Sequence, residues 1–243
     1  VKERARNNPL IVHLKDKAEI EKYAFIQNKV EKKLIEAFMP GPFTLILKKK
    51  DIIPDVTTAS LDSVGIRIPI NEIAHKFLEY VDCPIAAPSA NISTRPSGTN
   101  LDDIKEEFTG LVDLAIDGGS SQIGLESTVV KVIDNVPVIL RPGFITKEDI
   151  EMITSKCLVS EHVLKQIDSQ MKVESPGMLY RHYAPKTKCL LVYSANLDTL
   201  KELVIENTFT KTIVLGSSKL IDIPCFKYIF YGNTEEEISH NIF

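Results

Sequence analysis

The sequence predicts an α/β fold in two parts, a mixed sheet with flanking helices followed by a smaller parallel α/β unit, and three observations carry that prediction. Apolar runs of strand length alternate with stretches of helical periodicity along the whole chain. A hydrophilic stretch of weak periodicity, residues 155–187, separates two such series and reads as a linker. The 243 residues are 44% hydrophobic, enough to bury a sizeable core.

In order, residues 10–14 read as a strand. Residues 17–37 read as one or two amphipathic helices, with Ile20, Tyr23, Ala24 and Ile35 at helical spacing and Pro40, Gly41 and Pro42 ending them. Residues 44–47, 64–68 and 85–87 are strands, with a helix over 71–80 between the last two. A short helix starts at 102–107, residues 111–117 lead into a strand, and 127–133 with 138–140 form a hairpin about Asp134-Asn135. That closes a domain over 1–154. After the linker, residues 188–243 give a strand at 189–193, a helix at 197–205, strands at 212–215 and 226–230, and a helix from Glu235. Alternation at this spacing suggests a small parallel sheet. Gly216-Ser217-Ser218 lacks a phosphate-loop pattern and reads as a turn.

Charge excludes one class of function as a general property. With 29 basic and 33 acidic side chains the formal charge is −4, so no global field draws in a polyanion and any nucleic-acid contact must be local. Cys83, Cys157, Cys189 and Cys225 have no metal-type spacing and read as buried free thiols of a reducing, cytoplasmic compartment. No metal site is expected. No 18-residue apolar run and no signal-peptide pattern is present, so no membrane partner is expected. Val1 already lies inside a functional-looking segment, and the N-terminus is expected to be missing.

The most informative segment is 84–99, PIAAPSANISTRPSGT. An apolar run stops at Pro88 and delivers Ser89, Asn91, Ser93, Thr94, Ser97 and Thr99 beside Arg95, short donors that let an oxyanion approach the backbone where α/β sheets collect ligands. A surface loop is the plain alternative. Four further segments carry the same chemistry. Lys2 and Arg4, two apart, face the same side of an extended chain and suit a polyphosphate, ahead of Asn7 and Asn8. His13 shares a strand face with Ile11, away from Leu10, Val12 and Leu14, either as a hydrogen-bonded structural residue or as a ligand contact. Arg67 stands in an apolar strand and must meet an internal acid or a carboxylate or phosphate ligand. Asp117-Gly118-Gly119 through Ser127-Thr128, and Arg141-Pro142-Gly143, add glycines, hydroxyls and a cation. Cations and hydroxyls recur without a Ser-His-Asp spacing, a metal cluster or a nucleophilic cysteine. Such a site works by positioning and charge stabilisation, which suits phosphoryl or nucleotidyl transfer.

The strings KER…NNPLIVH, MPGPFTLIL, VGIRIP, AAPSAN, IDGG…GLESTV and LRPGFIT, in this order, closely resemble the YrdC-type threonylcarbamoyl-AMP synthase family, and SPGMLYRHYAP at 175–185 resembles its two-domain branch. The resemblance implies a YrdC-like twisted mixed sheet, then a linker and a partial Rossmann-like α/β domain. It implies formation of threonylcarbamoyl-AMP and pyrophosphate from L-threonine, bicarbonate and ATP, with Mg2+. The product would pass to a tRNA-modifying transferase complex that makes threonylcarbamoyladenosine beside the anticodon. Carried over by motif, Lys2 and Arg4 are the catalytic cations, and they meet ATP with Asn8, Ser63, Ser89, Asn91, Ser97, Arg141 and Tyr183. Asn91 would orient the phosphate loop. Tyr183 would be delivered by a linker folding back over the pocket or would anchor that linker. His13, Arg67, Ala87 through its backbone, and Ser127 would define the threonine pocket, with Arg67 on the carboxylate.

Ala5 stands where the family commonly has proline, and Met39 where tryptophan is usual. The family's upstream P-T-E-T-x-Y-G-L element has no match, so the chain is expected to be a fragment lacking the N-terminal segment and most of the C-terminal domain, weak or inactive by itself. Two alternatives are a carbamoyl-AMP-forming carbamoyltransferase domain and a double-stranded RNA-binding module. For weak RNA binding, Lys2, Arg4, Arg6, Arg67, Arg95 and Arg141 would form one local positive surface.

Overall fold

A computed structural model of the chain describes residues 7–93, 95–164, 188–209 and 211–241. It divides into two compact units, Val1–Ser121 with Glu126–Tyr183, and Gln122–Leu125 with Ala184–Phe243.

The first unit is built on one eight-stranded sheet of β1 (Ile11–His13), β2 (Ala24–Phe25), β3 (Phe43–Lys49), β4 (Ser63–Arg67), β5 (Ile85–Ala87), β6 (Thr128–Ile133), β7 (Val136–Arg141) and β8 (Leu158–Val159). The order is β5-β1-β4-β3-β6-β7-β8, with β2 paired to β3. Pairing is mixed: β1 runs parallel to β4, matching His13 with Arg67, and antiparallel to β5, matching Ile11 with Ala87. The β6–β7 hairpin turns at Asp134 and Asn135, both at positive φ (50° and 61°), the backbone a two-residue type I′ turn requires.

Strand alternation splits the sheet into two faces of different chemistry. Val12, Leu14, Leu45, Leu47, Val64, Ile66, Ile68 and Val130 are buried in one apolar cluster with Ile20, Leu34, Ile35 and Ile150, which come from helices Ile20–Tyr23, Lys29–Phe38 and Lys147–Thr154. The intervening residues Ile11, Thr44 and Ile46 close around Gly65 on the other face. A Cβ at Gly65 would come within 3.2 Å of Thr44 and 3.3 Å of Ile46. His13, Ser63 and Arg67 share that second face by the same alternation.

Most predicted strands stand within one or two residues of the observed ones, and the differences have physical causes. The helical stretch 17–37 is broken by β2, because Asn28 caps a new helix by accepting from the Glu31 N–H. No strand follows 111–117 directly: Leu111, Val112, Leu114 and Ile116 are exposed, and the next strand is β6. Helix Lys147–Thr154 was not anticipated, although its Thr146/Asp149 capping box is a readable start signal. β8 pairs parallel with β7, so the sheet continues past residue 154 into the stretch assigned to the linker. Two residues are too short to show any period.

In the second unit β9 (Ile213–Gly216) and β10 (Lys227–Phe230) pair parallel, beside helices Leu197–Glu206 and Glu235–Asn241. Residues 189–193 form no strand. Leu190, Leu191 and Tyr193 are exposed, and an apolar run becomes a strand only when a neighbour supplies its ladder. Ser218–Leu220 make a single 3-10 turn. Among the described residues no helix is long and apolar enough to cross a membrane.

Candidate active site

The second face of the sheet carries a cluster of donors. Arg67 ends β4, where register brings it beside His13 at the end of β1. Burial lowers the Arg67 pKa, and repulsion from Arg141 adds to this, while Glu126 opposes both. An arginine stays charged even so. Its Nε has no hydrogen-bond partner and is shut off from solvent. A charge held this way is costly unless something anionic completes it.

His13 is the neutral member. Burial, followed by the field of Arg67, lowers its pKa to about 4. Its Nδ1 lies 3.3 Å from the Ile85 carbonyl, which can only accept, and with the proton on Nδ1 the neutral ring offers Nε2 as an acceptor, while the backbone of Ile85 and of Ile11 pulls weakly toward protonation. An acceptor beside a guanidinium suits a ligand that offers a hydroxyl or amine together with a carboxylate.

Beyond Arg67, the start of β6 and the end of β7 contribute an interlocked set. Arg141 donates from Nε (3.2 Å) and Nη2 (2.8 Å) to the Ser127 carbonyl and from Nη2 to Ser127 Oγ at 2.9 Å, while its Nη1 lies 2.5 Å from Glu126 Oε2. Ser127 is buried and its hydroxyl also bonds Thr44 Oγ1 at 2.9 Å. Ser97 donates to Glu126 Oε1 at 2.9 Å, tying the loop after β5 to the same cluster. Gly143 makes this approach feasible: a Cβ there would sit 2.3 Å from the Glu126 carbonyl oxygen and 2.5 Å from the Thr128 nitrogen. The close approach in Arg-Pro-Gly is therefore to the chain's own backbone.

The loop 88–99 is braced from inside. Asn91 is buried, and its Nδ2 donates to the carbonyls of Ile92 (2.9 Å) and Arg95 (2.7 Å), while Glu107 accepts from the Ile92 N–H at 2.6 Å. Asn91 thus bonds the loop's own backbone. Ser89 is exposed and lines a cavity of about 500 Å³ with Ala90, Gly98, Thr99, Asp117 and Gly118. Asp117 folds its own loop by accepting from the Gly119 N–H.

The described site residues thus form one array with two ends. His13, Arg67, Ser97, Ser127 and Arg141 gather at one end, with half-buried Ala87 on the neighbouring strand. Asn8, three residues before β1, and Ser63, at the far end of β4, are both buried, and Ser63 lies roughly 13 Å from Arg67 at about 3.3 Å per residue. That separation suits an elongated ligand. Lys2, Arg4 and Tyr183 lie outside the described residues, as do Arg6, Thr94 and the SPGMLYRHYAP segment. Sequence reasoning gave no role to Glu126 or Thr44. A lone carboxylate inside an anion-binding motif, and a hydroxyl on the non-core face of β3, were the signals for them.

Of the six cations expected to form one positive surface for RNA, Arg67, Arg95 and Arg141 lie among the described residues. Arg141 is bound to Glu126, Arg67 is buried beside them, and Arg95 pairs with Glu107 at 3.4 Å. Arg95 and Arg141 are thus paired with carboxylates, while Arg67 meets Glu126 only through its field.

Residues 1–143 match the Sua5/YciO/YrdC family model, described as telomere recombination, and residues 145–243 match the model of the threonylcarbamoyl-AMP synthase C-terminal domain. The chain belongs to the Sua5/YrdC family, in its two-domain form. Within that family it is 38% identical to a threonylcarbamoyl-AMP synthase of Pyrococcus abyssi, over all of this chain and 71% of the relative. It is 40% identical to one of Bacillus subtilis, over 84% of this chain and 58% of the relative. The fold superposes on the crystal structure of P. abyssi Sua5 complexed with L-threonine with a TM-score of 0.90 at 36% identity, covering all of this chain and 71% of that one. E. coli YciO shares the fold over 59% of the chain, with a TM-score of 0.53 at 26% identity. The twisted mixed sheet with flanking helices is the Sua5 architecture. A match through 243 to the synthase's C-terminal domain also sets the chain apart from a carbamoyltransferase domain.

Proposed function

We propose that this chain performs the threonylcarbamoyl-AMP synthase reaction, with L-threonine, bicarbonate and ATP as substrates. The observation that carries the reading is the Arg67–His13 pair: a buried guanidinium with an unpartnered Nε next to a neutral imidazole that accepts at Nε2. Arg67 would grip the threonine carboxylate, His13 would accept from its hydroxyl or amine, and Ser127 with the Ala87 backbone would close the pocket.

The chemistry requires the threonine amine to combine with bicarbonate, releasing water, to give a carbamate. A carbamate oxygen then attacks the α-phosphorus of ATP, the bond to the pyrophosphate oxygen breaks, and pyrophosphate leaves. Negative charge accumulates on the phosphate, where Arg141 and Ser97 would stand ready, with Ser89, Ser63 and Asn8 along the triphosphate. Lys2, Arg4 and Tyr183 complete the proposed ATP set. The donors fit an anion. Glu126, the carboxylate among them, already meets Arg141 and Ser97, so Mg2+ would arrive on the nucleotide. The threonylcarbamoyl-adenylate would pass to a tRNA-modifying transferase.

Pyrophosphate release from ATP and bicarbonate tests this, comparing L-threonine, L-serine and no amino acid, with Arg67→Ala as control. Release is expected to require threonine, to fall with serine by roughly the 10- to 200-fold that one methyl group can supply, and to collapse in the variant. Release indifferent to threonine would sink the assignment.

A further inference from the structure

Glu126 is an anomaly in an anion site. A carboxylate there repels the phosphates that Arg141 and Ser97 would bind, so its presence calls for a compensating role. Its contacts identify one. Oε2 takes Nη1 of Arg141 at 2.5 Å and Oε1 takes the Ser97 hydroxyl at 2.9 Å, so a single side chain bridges the end of β7 to the loop 88–99. Nε and Nη2 of Arg141 are turned the other way, onto the Ser127 carbonyl and hydroxyl. The guanidinium is thereby pinned on both sides, and its plane is fixed before any ligand arrives.

Arg67 supplies the second part of the argument. It is buried near Arg141, and the two repel each other, while Glu126 acts on Arg67 in the opposite sense. Two guanidinium groups gathered for two ligand anions need a counter-charge in the empty site to stop them driving apart. We propose that Glu126 is the positioning residue of this site, holding Ser97 and Arg141 as one fixed donor set for the ATP phosphates and offsetting the repulsion between Arg141 and Arg67. The inference rests on the ATP reading above.

Glu126→Gln separates charge from bulk. The amide can still meet both groups, its oxygen accepting from Arg141 and its NH2 donating to the Ser97 hydroxyl, so the variant removes the charge at nearly constant volume. Calorimetric titration of the whole chain with ATP and Mg2+, without threonine, should show affinity about tenfold weaker in the variant. The KM for threonine, which Glu126 reaches only through its field on Arg67, should rise by clearly less than the ATP affinity falls. Glu126→Asp, charged but one methylene shorter, should recover only part of the ATP affinity. In the Ser97→Ala background, Glu126→Gln should cost less than it does alone, since the two act through one contact.

Wild-type ATP affinity in Glu126→Gln would overturn the proposal. So would equal losses for ATP and threonine with a lowered urea midpoint, which would mark Glu126 as a residue of folding only. Failure of the wild-type chain to bind ATP would overturn the ATP reading itself, and it shows in the wild-type titration before any variant is compared.

Discussion

The two faces of the first unit's sheet are made by the same strands and obey opposite rules. On β3 and β4, Leu45, Leu47, Val64 and Ile66 face the helices and are at most 2% exposed. Their immediate neighbours Thr44, Ser63, Gly65 and Arg67 face the other way and carry hydroxyls, a bare backbone and a charge. The first face gains from excluding water around apolar groups. The second keeps polar groups buried and only partly satisfied, so that a ligand can complete them. Because the side-chain period is two residues, a single strand can do both, and a substitution one position along should change which property fails.

The largest effect is expected on the apolar face. Leu45→Ala removes a fully buried side chain at the centre of the core and should lower unfolding free energy by about 2–5 kcal/mol, read as a lower urea midpoint at unchanged slope. Threonine KM should be unchanged in the fraction that remains folded. A raised KM would show that the faces are mechanically coupled across the strand.

Next comes pH, through His13. Its folded pKa is depressed to about 4 from 6.5, so between those values the unfolded chain binds the proton and the folded chain does not. The neutral ring's full contribution is present above pH 6.5. It is lost as pH falls toward 4, by roughly 3 kcal/mol in all at 1.36 kcal/mol per pKa unit. The pH-dependent part of the stability difference between wild type and His13→Asn isolates this contribution from the carboxylates. A difference flat from pH 7 to 4 would mean that His13 is not held neutral.

How far each face could be read from sequence follows from the same contrast. Apolar alternation around Val12, Leu45 and Ile66 is dense, so strands and core were visible. So was the turn at Asp134-Asn135, whose residues tolerate positive φ. Helices 29–38 and 147–154 depend on caps at Asn28 and Thr146, which are local signals easily lost beside periodicity. In the site, Arg67 and His13 stood out because each interrupts an apolar strand. Glu126 did not, because its importance comes from Ser97, 29 residues away in sequence, and from Arg141 across a hairpin. The run 189–193 has strand composition without a partner, a tertiary fact that no window of sequence contains.

Arg67→Met should sharpen the contrast by moving stability and function in opposite directions. Methionine keeps much of the volume and removes a buried charge whose Nε is unpartnered, so unfolding free energy should rise by about 1–2 kcal/mol. Loss of the carboxylate clamp should lower kcat/KM for threonine about a hundredfold, near 2.7 kcal/mol. Stability and activity falling together would instead place Arg67 in an internal ion pair.

The smallest effect expected is at Ser127, where the two demands meet in one hydroxyl. Ser127→Ala strands the Thr44 hydroxyl at 0% exposure and removes one of the acceptors of Arg141, which keeps the Ser127 carbonyl and Glu126. The loss should be about 1 kcal/mol. Adding Thr44→Val removes the stranded partner and should restore most of that stability, since deleting both members of a buried hydrogen bond is far milder than deleting one. It should not restore threonine KM, because the hydroxyl offered to the ligand is still missing. If stability and KM recover together in the double variant, Ser127 serves only the interior of the sheet and the threonine pocket must be closed by His13, Arg67 and Ala87 alone.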